Sequence, residues 1–277
     1  MSQNLWLNRR TFIRNAGMTA LVGAASSGSS LASPMTNLPS GQTGSTTYDF
    51  DTVYDRTGTN SVKWDSAIAR YGRENIDVGM GIADMDFQAP PCITQALAER
   101  CKHENWGYMS TPRSFYQQIA DWDMRRNGLE VDPESITLSD GVHPALIAAL
   151  KAVSPPGSKV LLTTAVYSGF YMDLRQSRTL EENSPMIEEN GRYRIDFDDF
   201  ESRMSHDTDA LILCNPQNPT GNCWSEEDLL RLGRMCLEHR VVVLSDEIHC
   251  DFVMKGQKYT PFASLPDKEV VDNSITF

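Results

Sequence analysis

The 277-residue chain lacks any apolar run approaching the ~20 residues a membrane-spanning helix needs. It also lacks positive charge: 25 Lys and Arg stand against 37 Asp and Glu, a net charge of −12. Nucleic-acid phosphates call for a basic surface, so neither nucleic acid nor a membrane is expected as a partner. The six cysteines (Cys92, Cys101, Cys214, Cys223, Cys236 and Cys250) form no CxxC pair and no Cys/His cluster at zinc spacing, so no metal is expected. They read as small buried hydrophobes. Internal repeats are absent too. What is present is an ordinary globular composition, 40% hydrophobic and 22% charged, long enough for one large or two modest domains.

The N-terminus does not read as part of the fold. Residues 8–14, NRRTFIR, precede an apolar stretch from Ala16 to Ala25 and the small-residue site Ser30-Leu31-Ala32. A basic region, an apolar region and a small-x-small site together make a secretory signal over residues 1–32. Arg9-Arg10 followed by Phe12 resembles the twin-arginine form, which exports folded proteins, so a periplasmic or exported location is expected. Residues 33–47, rich in Ser, Thr, Gly and Pro, read as a flexible linker.

From Pro90 onward helical and strand patterns alternate. Helices are expected over 93–103, 114–127, 144–153, 168–178 and 225–239, the last opening on Ser225 and Asp228 at capping spacing. Strands are expected over 135–138, 159–163, 209–214, 241–245 and 274–277, with a hairpin-like turn at Asn190-Gly191. Alternation of this kind implies crossover connections: an α/β fold with a mostly parallel sheet flanked by helices. Ligands in such sheets sit at the carboxyl ends of strands, where the segments CNPQNPTG (214–221) and SDEIH (245–249) fall.

Asp246 follows four apolar residues, so its carboxylate should emerge partly desolvated at a strand end, suited to a cation or to capping a loop. Asn218 precedes Pro219-Thr220-Gly221, a rigid turn that either presents the amide to a ligand or closes the loop alone. Ser139-Asp140-Gly141-Val142-His143-Pro144 runs from the expected strand into a helix; Gly141 permits close approach and the first N–H groups suit an anion such as phosphate. An empty turn is the alternative, and His143 reads as a packing or capping residue. Tyr167 offers a ring face after the strand 159–163, or else belongs to the core with Phe170 and Tyr171.

Taken together, these residues resemble the fold-type-I pyridoxal-phosphate (PLP) enzymes, the class I/II aminotransferase superfamily with the aspartate-aminotransferase-like fold. The resemblance implies that Asp246 bonds the pyridine nitrogen, Asn218 the phenolate oxygen, Gly141 and Val142 the phosphate, and that Tyr167 stacks on the ring. Ala165 stands where that family usually has proline. A narrower resemblance, to the MalY/PatB-type cystathionine β-lyases, rests on the opening segment from Phe50 to Asp65, on Ala83-Asp84-Met85-Asp86-Phe87, on Trp106-Gly107-Tyr108, and on His249 three residues after Asp246. It implies a homodimer in which Tyr108 reaches the neighbouring subunit's phosphate. It also implies β-elimination from an S-substituted cysteine such as cystathionine, giving thiol, pyruvate and ammonia.

The implied domains are an N-terminal arm with part of the small domain (48–90) and the PLP-binding large domain (91–277). The resemblance puts the Schiff-base lysine just after the strand that ends at Phe277. Residues 1–277 are therefore expected to hold no catalytic lysine, a truncated large domain without the small C-terminal domain, and no lyase turnover. Lys255, Lys258 and Lys268 read as solvated surface. Two other functions stand beside the lyase: an aminotransferase on the same scaffold, told apart by amino transfer to a keto acid, and a non-catalytic PLP-fold binding or regulatory protein, told apart by PLP binding without turnover.

Overall fold

The structure, a computed structural model, describes residues 48–277, so the signal (1–32) and linker (33–47) readings lie outside the described residues. These residues form two compact units, 48–110 and 111–277.

In the first unit Ser61 caps a turn of π-helix, Val62–Ser66, its hydroxyl accepting the Trp64 N–H; helix α1 (Ala67–Tyr71) follows, and α2 spans Pro91–Cys101. Two of the segments that carried the narrower resemblance meet around Asp86. Its carboxylate pairs with Lys63 at 2.7 Å and Arg56 at 3.1 Å, and accepts the Trp64 indole N–H at 2.9 Å. Lys63, then Trp64, then Arg56 hold this carboxyl down at about 2.

The second unit begins with α3 (Arg113–Asn127), closed by Gly128 in the left-handed conformation at φ 67°. Helix α4 (Val142–Val153), β1 (Lys159–Thr164), α5 (Gly169–Ser177) and β2 (Leu180–Pro185) follow. The hairpin β3 (Ile187–Glu189) and β4 (Arg192–Arg194) turns at Asn190-Gly191, as the sequence implies. Then come α6 (Phe197–Ser202), β5 (Thr208–Cys214), α7 (Glu226–His239), β6 (Val242–Asp246), α8 (Lys268–Val271) and β7 (Ser274–Thr276).

The expected α/β architecture is borne out: five parallel strands in the order β2-β1-β5-β6-β7, flanked by helices. Strand alternation sends Val160, Leu162, Ala210, Ile212, Val242 and Leu244 to one face, against Leu146 and Leu150 of α4 and Phe170 and Leu174 of α5. Leu161, Leu211, Leu213 and Val243 face the other way, against Leu229, Leu232 and Cys236 of α7. Central strands buried on both faces account for the uninterrupted apolar runs ALILC and VVVL. Truncating any of these leucines to alanine costs about 2–5 kcal/mol. Helix α7 starts where the sequence places it: the Ser225 hydroxyl accepts the Asp228 N–H at 3.0 Å, and three acids fill the first turn.

One expected strand is absent. Residues 133–135 form a single 3₁₀ turn capped by Asp132, and 136–138 pair with no strand. Leu138 is exposed, so the short apolar alternation there has neither a ladder nor a core face to hold it. Conversely β2, with its polar sequence LEENSP, and α6 carry no apolar pattern of their own; the parallel ladder to β1 makes β2 a strand.

Candidate active site

Strands β1, β5 and β6 are adjacent and parallel, and Tyr167, Asn218, Asp246 and His249 lie at or just after their carboxyl ends. Asp246 is the last residue of β6, opposite Cys214 of β5, and its carbonyl accepts the Asn215 N–H at 2.9 Å. Its side chain is 4% exposed, yet it receives a single hydrogen bond among the described residues, from the Ile248 N–H at 3.2 Å. Burial pushes this carboxyl above the usual carboxylate range; the Ile248 N–H and the charges of His249 and His143 oppose the shift. His249 is half-buried beside it.

The loop after β5 is braced from inside. Asn215, fully buried, donates to the Thr260 carbonyl at 3.0 Å and accepts the Trp224 N–H at 3.2 Å. Gln217 donates to the Ala165 carbonyl at 2.6 Å, tying this loop to the one after β1, so the residue standing in place of the usual proline is held by a neighbouring loop. The Asn218 N–H rests on the Cys214 sulfur at 3.4 Å, while its side-chain amide has no partner among the described residues. The Cys214 thiol is pushed up to about 12 by burial and by the nearby Asp246 charge, which leaves it protonated and inert.

Gly141 caps α4 at φ 131°, a conformation that favours glycine, and a Cβ there would meet only Pro144 at 3.9 Å. Among the described residues no side chain caps this helix, which leaves the N–H groups of its first turn without a side-chain acceptor, as an anion cradle requires. Tyr167 lies 37% exposed in the loop after β1, its ring edge-on to Phe170 at 5.5 Å. Tyr108 lies in the other unit and is fully exposed. Lys255 and Lys258 are exposed in the connection after β6, and Lys268 is exposed and pairs with Asp272, in line with their reading as surface.

The sequence reading of His143 needs correcting. It neither caps the helix nor merely packs: its Nδ1 lies 2.8 and 2.9 Å from the two oxygens of Asp173 on α5. Asp173 escaped notice, although a signal was present. Phe170, Asp173, Leu174 and Ser177 share one buried stripe of α5, and an acid in a core-facing stripe calls for a partner.

Residues 75–273 match the family described as aminotransferase class I and II. The chain belongs to that family. Over 229 residues it is 44% identical to cystathionine beta-lyase PatB of Bacillus subtilis, covering 82% of this chain and 59% of that protein. Among solved structures, the PLP-bound C-S lyase from Staphylococcus hominis superposes with a TM-score of 0.75 at 33% identity, over 84% of this chain and 59% of the other. Cystalysin from Treponema denticola, which contains a pyridoxal 5'-phosphate cofactor, gives a TM-score of 0.78 at 29% identity, over 83% and 59%. The chain thus spans about 59% of the length of these relatives.

Proposed function

We propose that these residues form the cofactor-holding half of a PLP-dependent carbon–sulfur β-lyase acting on L-cystathionine or another S-substituted cysteine. The observation that carries the reading is Asp246: a buried carboxylate, raised by desolvation, that receives one backbone hydrogen bond among the described residues. A carboxylate in that state is stabilised by a cationic N–H, and a protonated pyridine nitrogen supplies one. The other donors match the rest of the cofactor: the unpartnered Asn218 amide for the phenolate oxygen, the uncapped N–H groups of α4 for the phosphate, and the half-exposed Tyr167 face for the ring.

Pyridoxal phosphate, when bound, supplies an electron sink for the negative charge left when a substrate Cα loses its proton. Asp246 would hold the pyridine nitrogen and its proton, and the charge of His249 favours the ionised carboxylate for that task. Asn218 would orient the ring through its amide, and Tyr167 would cover one of its faces from water. By family resemblance a lysine moves the proton at Cα. The preference for lyase over aminotransferase is supported by the 44% identity to PatB and by the C–S lyase neighbours. A homodimer and export by the twin-arginine route belong to the same proposal; the exposed Tyr108 and the Arg9-Arg10 motif support them.

The test has two parts. Residues 1–277 titrated with pyridoxal phosphate should bind it with an induced circular-dichroism band, and absence of binding would overturn the site assignment. The protein that carries these residues, given L-cystathionine, should release homocysteine and pyruvate in equal amounts; amino transfer to a keto acid without thiol release would overturn the lyase reading.

A further inference from the structure

We infer that Asp173 and His143 are positioning residues that act through Tyr167, fixing the ring face on which the cofactor would lie; this rests on the reading of the site given above. Three observations carry it. First, Asp173 is fully buried on α5, and among the described residues its carboxylate bonds one side chain, His143, through both oxygens. Burial raises this carboxyl and the His143 contact opposes the rise, so the histidine is what makes an ionised Asp173 tenable there.

Second, the pair dictates the tautomer. An ionised carboxylate only accepts hydrogen bonds, so Nδ1 of His143 carries a proton and, in the neutral ring, Nε2 is left as the acceptor. Nε2 lies 3.4 Å from the Tyr167 hydroxyl, with the two rings 5.7 Å apart and inclined by 34°. The phenol O–H therefore points at His143, and Tyr167 is held at its far end as well as at its backbone.

Third, the backbone is shaped for this stack. A Cβ on Gly169 would lie 2.4 Å from Tyr167 Cε1 and 2.7 Å from His143 Cε1, so both rings rest against a residue where any side chain would displace them. The bland alternative is an ion pair that ties α4 to α5 and does nothing for Tyr167. It predicts equal effects whether or not Tyr167 has a hydroxyl.

The experiment is a double-mutant cycle read by pyridoxal-phosphate binding to residues 1–277, together with ¹⁵N NMR of the His143 ring. Asp173→Leu, which fills the buried space without charge, should weaken binding about fivefold. In a Tyr167→Phe background the same change should cost less than about twofold, because no hydroxyl remains to be held. The wild-type His143 should show the Nδ1–H form, and Asp173→Leu should shift it toward Nε2–H. Equal losses in both backgrounds, or a wild-type ring protonated on Nε2, would overturn the inference. If Asp173→Leu does not fold, His143→Val from the half-exposed side runs the same cycle. A wild type that binds no pyridoxal phosphate sinks the cofactor reading, and the tautomer then decides the pair alone.

Discussion

Asp246→Asn should make the chain more stable while weakening its hold on pyridoxal phosphate. The amide oxygen can still accept the Ile248 N–H that Asp246 now accepts at 3.2 Å, and the shape is unchanged. What disappears is a buried negative charge that the described residues pair with no cation. Uncompensated burial of an ion costs several kcal/mol, and His249 returns part of that, so a net gain of about 1–2 kcal/mol is expected. For a chain of this size that is an increase of about 2–8 °C in Tm.

The pH dependence has a definite sign. Burial raises the Asp246 carboxyl in the folded state, so its contribution to stability is fully present below the unfolded value of about 3.9 and is lost as pH rises through the folded value. Wild type and Asp246→Asn should therefore melt alike in acid and separate as the pH rises to neutrality. Saturating pyridoxal phosphate should reverse the order: at one hundred times Kd it adds about 2.7 kcal/mol to wild type and less to the variant. Thermal melts from pH 4 to 8, with and without pyridoxal phosphate, read both effects. An Asp246→Asn chain that is less stable at pH 7, or a gap that does not change with pH, would refute the reasoning.

Gly169→Ala drives a methyl into Tyr167 and His143, and both rings can swing, so it should cost about 1–3 kcal/mol and reduce pyridoxal-phosphate affinity with it; unchanged affinity would count against a packed ring stack. Among the thiols, exposed Cys92 and Cys101 should react with a disulfide reagent at pH 8 in the folded chain, whereas buried Cys214 and Cys236, both raised by burial, should react only on unfolding. Counting modified cysteines by mass against time separates the two groups.

The elements legible in the sequence are those whose pattern is set by what they touch in the core. The runs at 210–214 and 241–244 are apolar because both faces are covered, and α7 announces its start through Ser225 and its stripe through Leu229, Leu232 and Cys236. Strand β2 was not legible because its ladder partner, β1, is what makes LEENSP extended. At the candidate site, Asp246 ends a strand, Gly141 opens a helix, and Asn218 and Tyr167 lie in the loops that follow strands, positions where the sequence pattern changes. The His143–Asp173 pair lies 30 residues apart on two helices, a distance that no local pattern spans.

Asp246 and Glu247 are neighbours, both buried, both raised by desolvation, and they do opposite things. Glu247 accepts from the Ser245 hydroxyl at 2.8 Å, the Phe262 N–H at 2.9 Å and the Tyr259 hydroxyl, so its oxygens are saturated from within the chain. Those donors come from β6 and from the segment that returns toward β7, and Glu247 thereby fastens the connection that follows the site. Asp246, one residue earlier on the opposite side of the strand, receives a single bond. A fold that needed only a tolerable interior would neutralise both residues or saturate both. Saturating one and leaving the other open at a strand's carboxyl end concentrates the unfavourable electrostatics at a single carboxylate. In the proposed reading that carboxylate is the one left to meet a cationic ring nitrogen, which is why its removal should stabilise the chain and disable the site together.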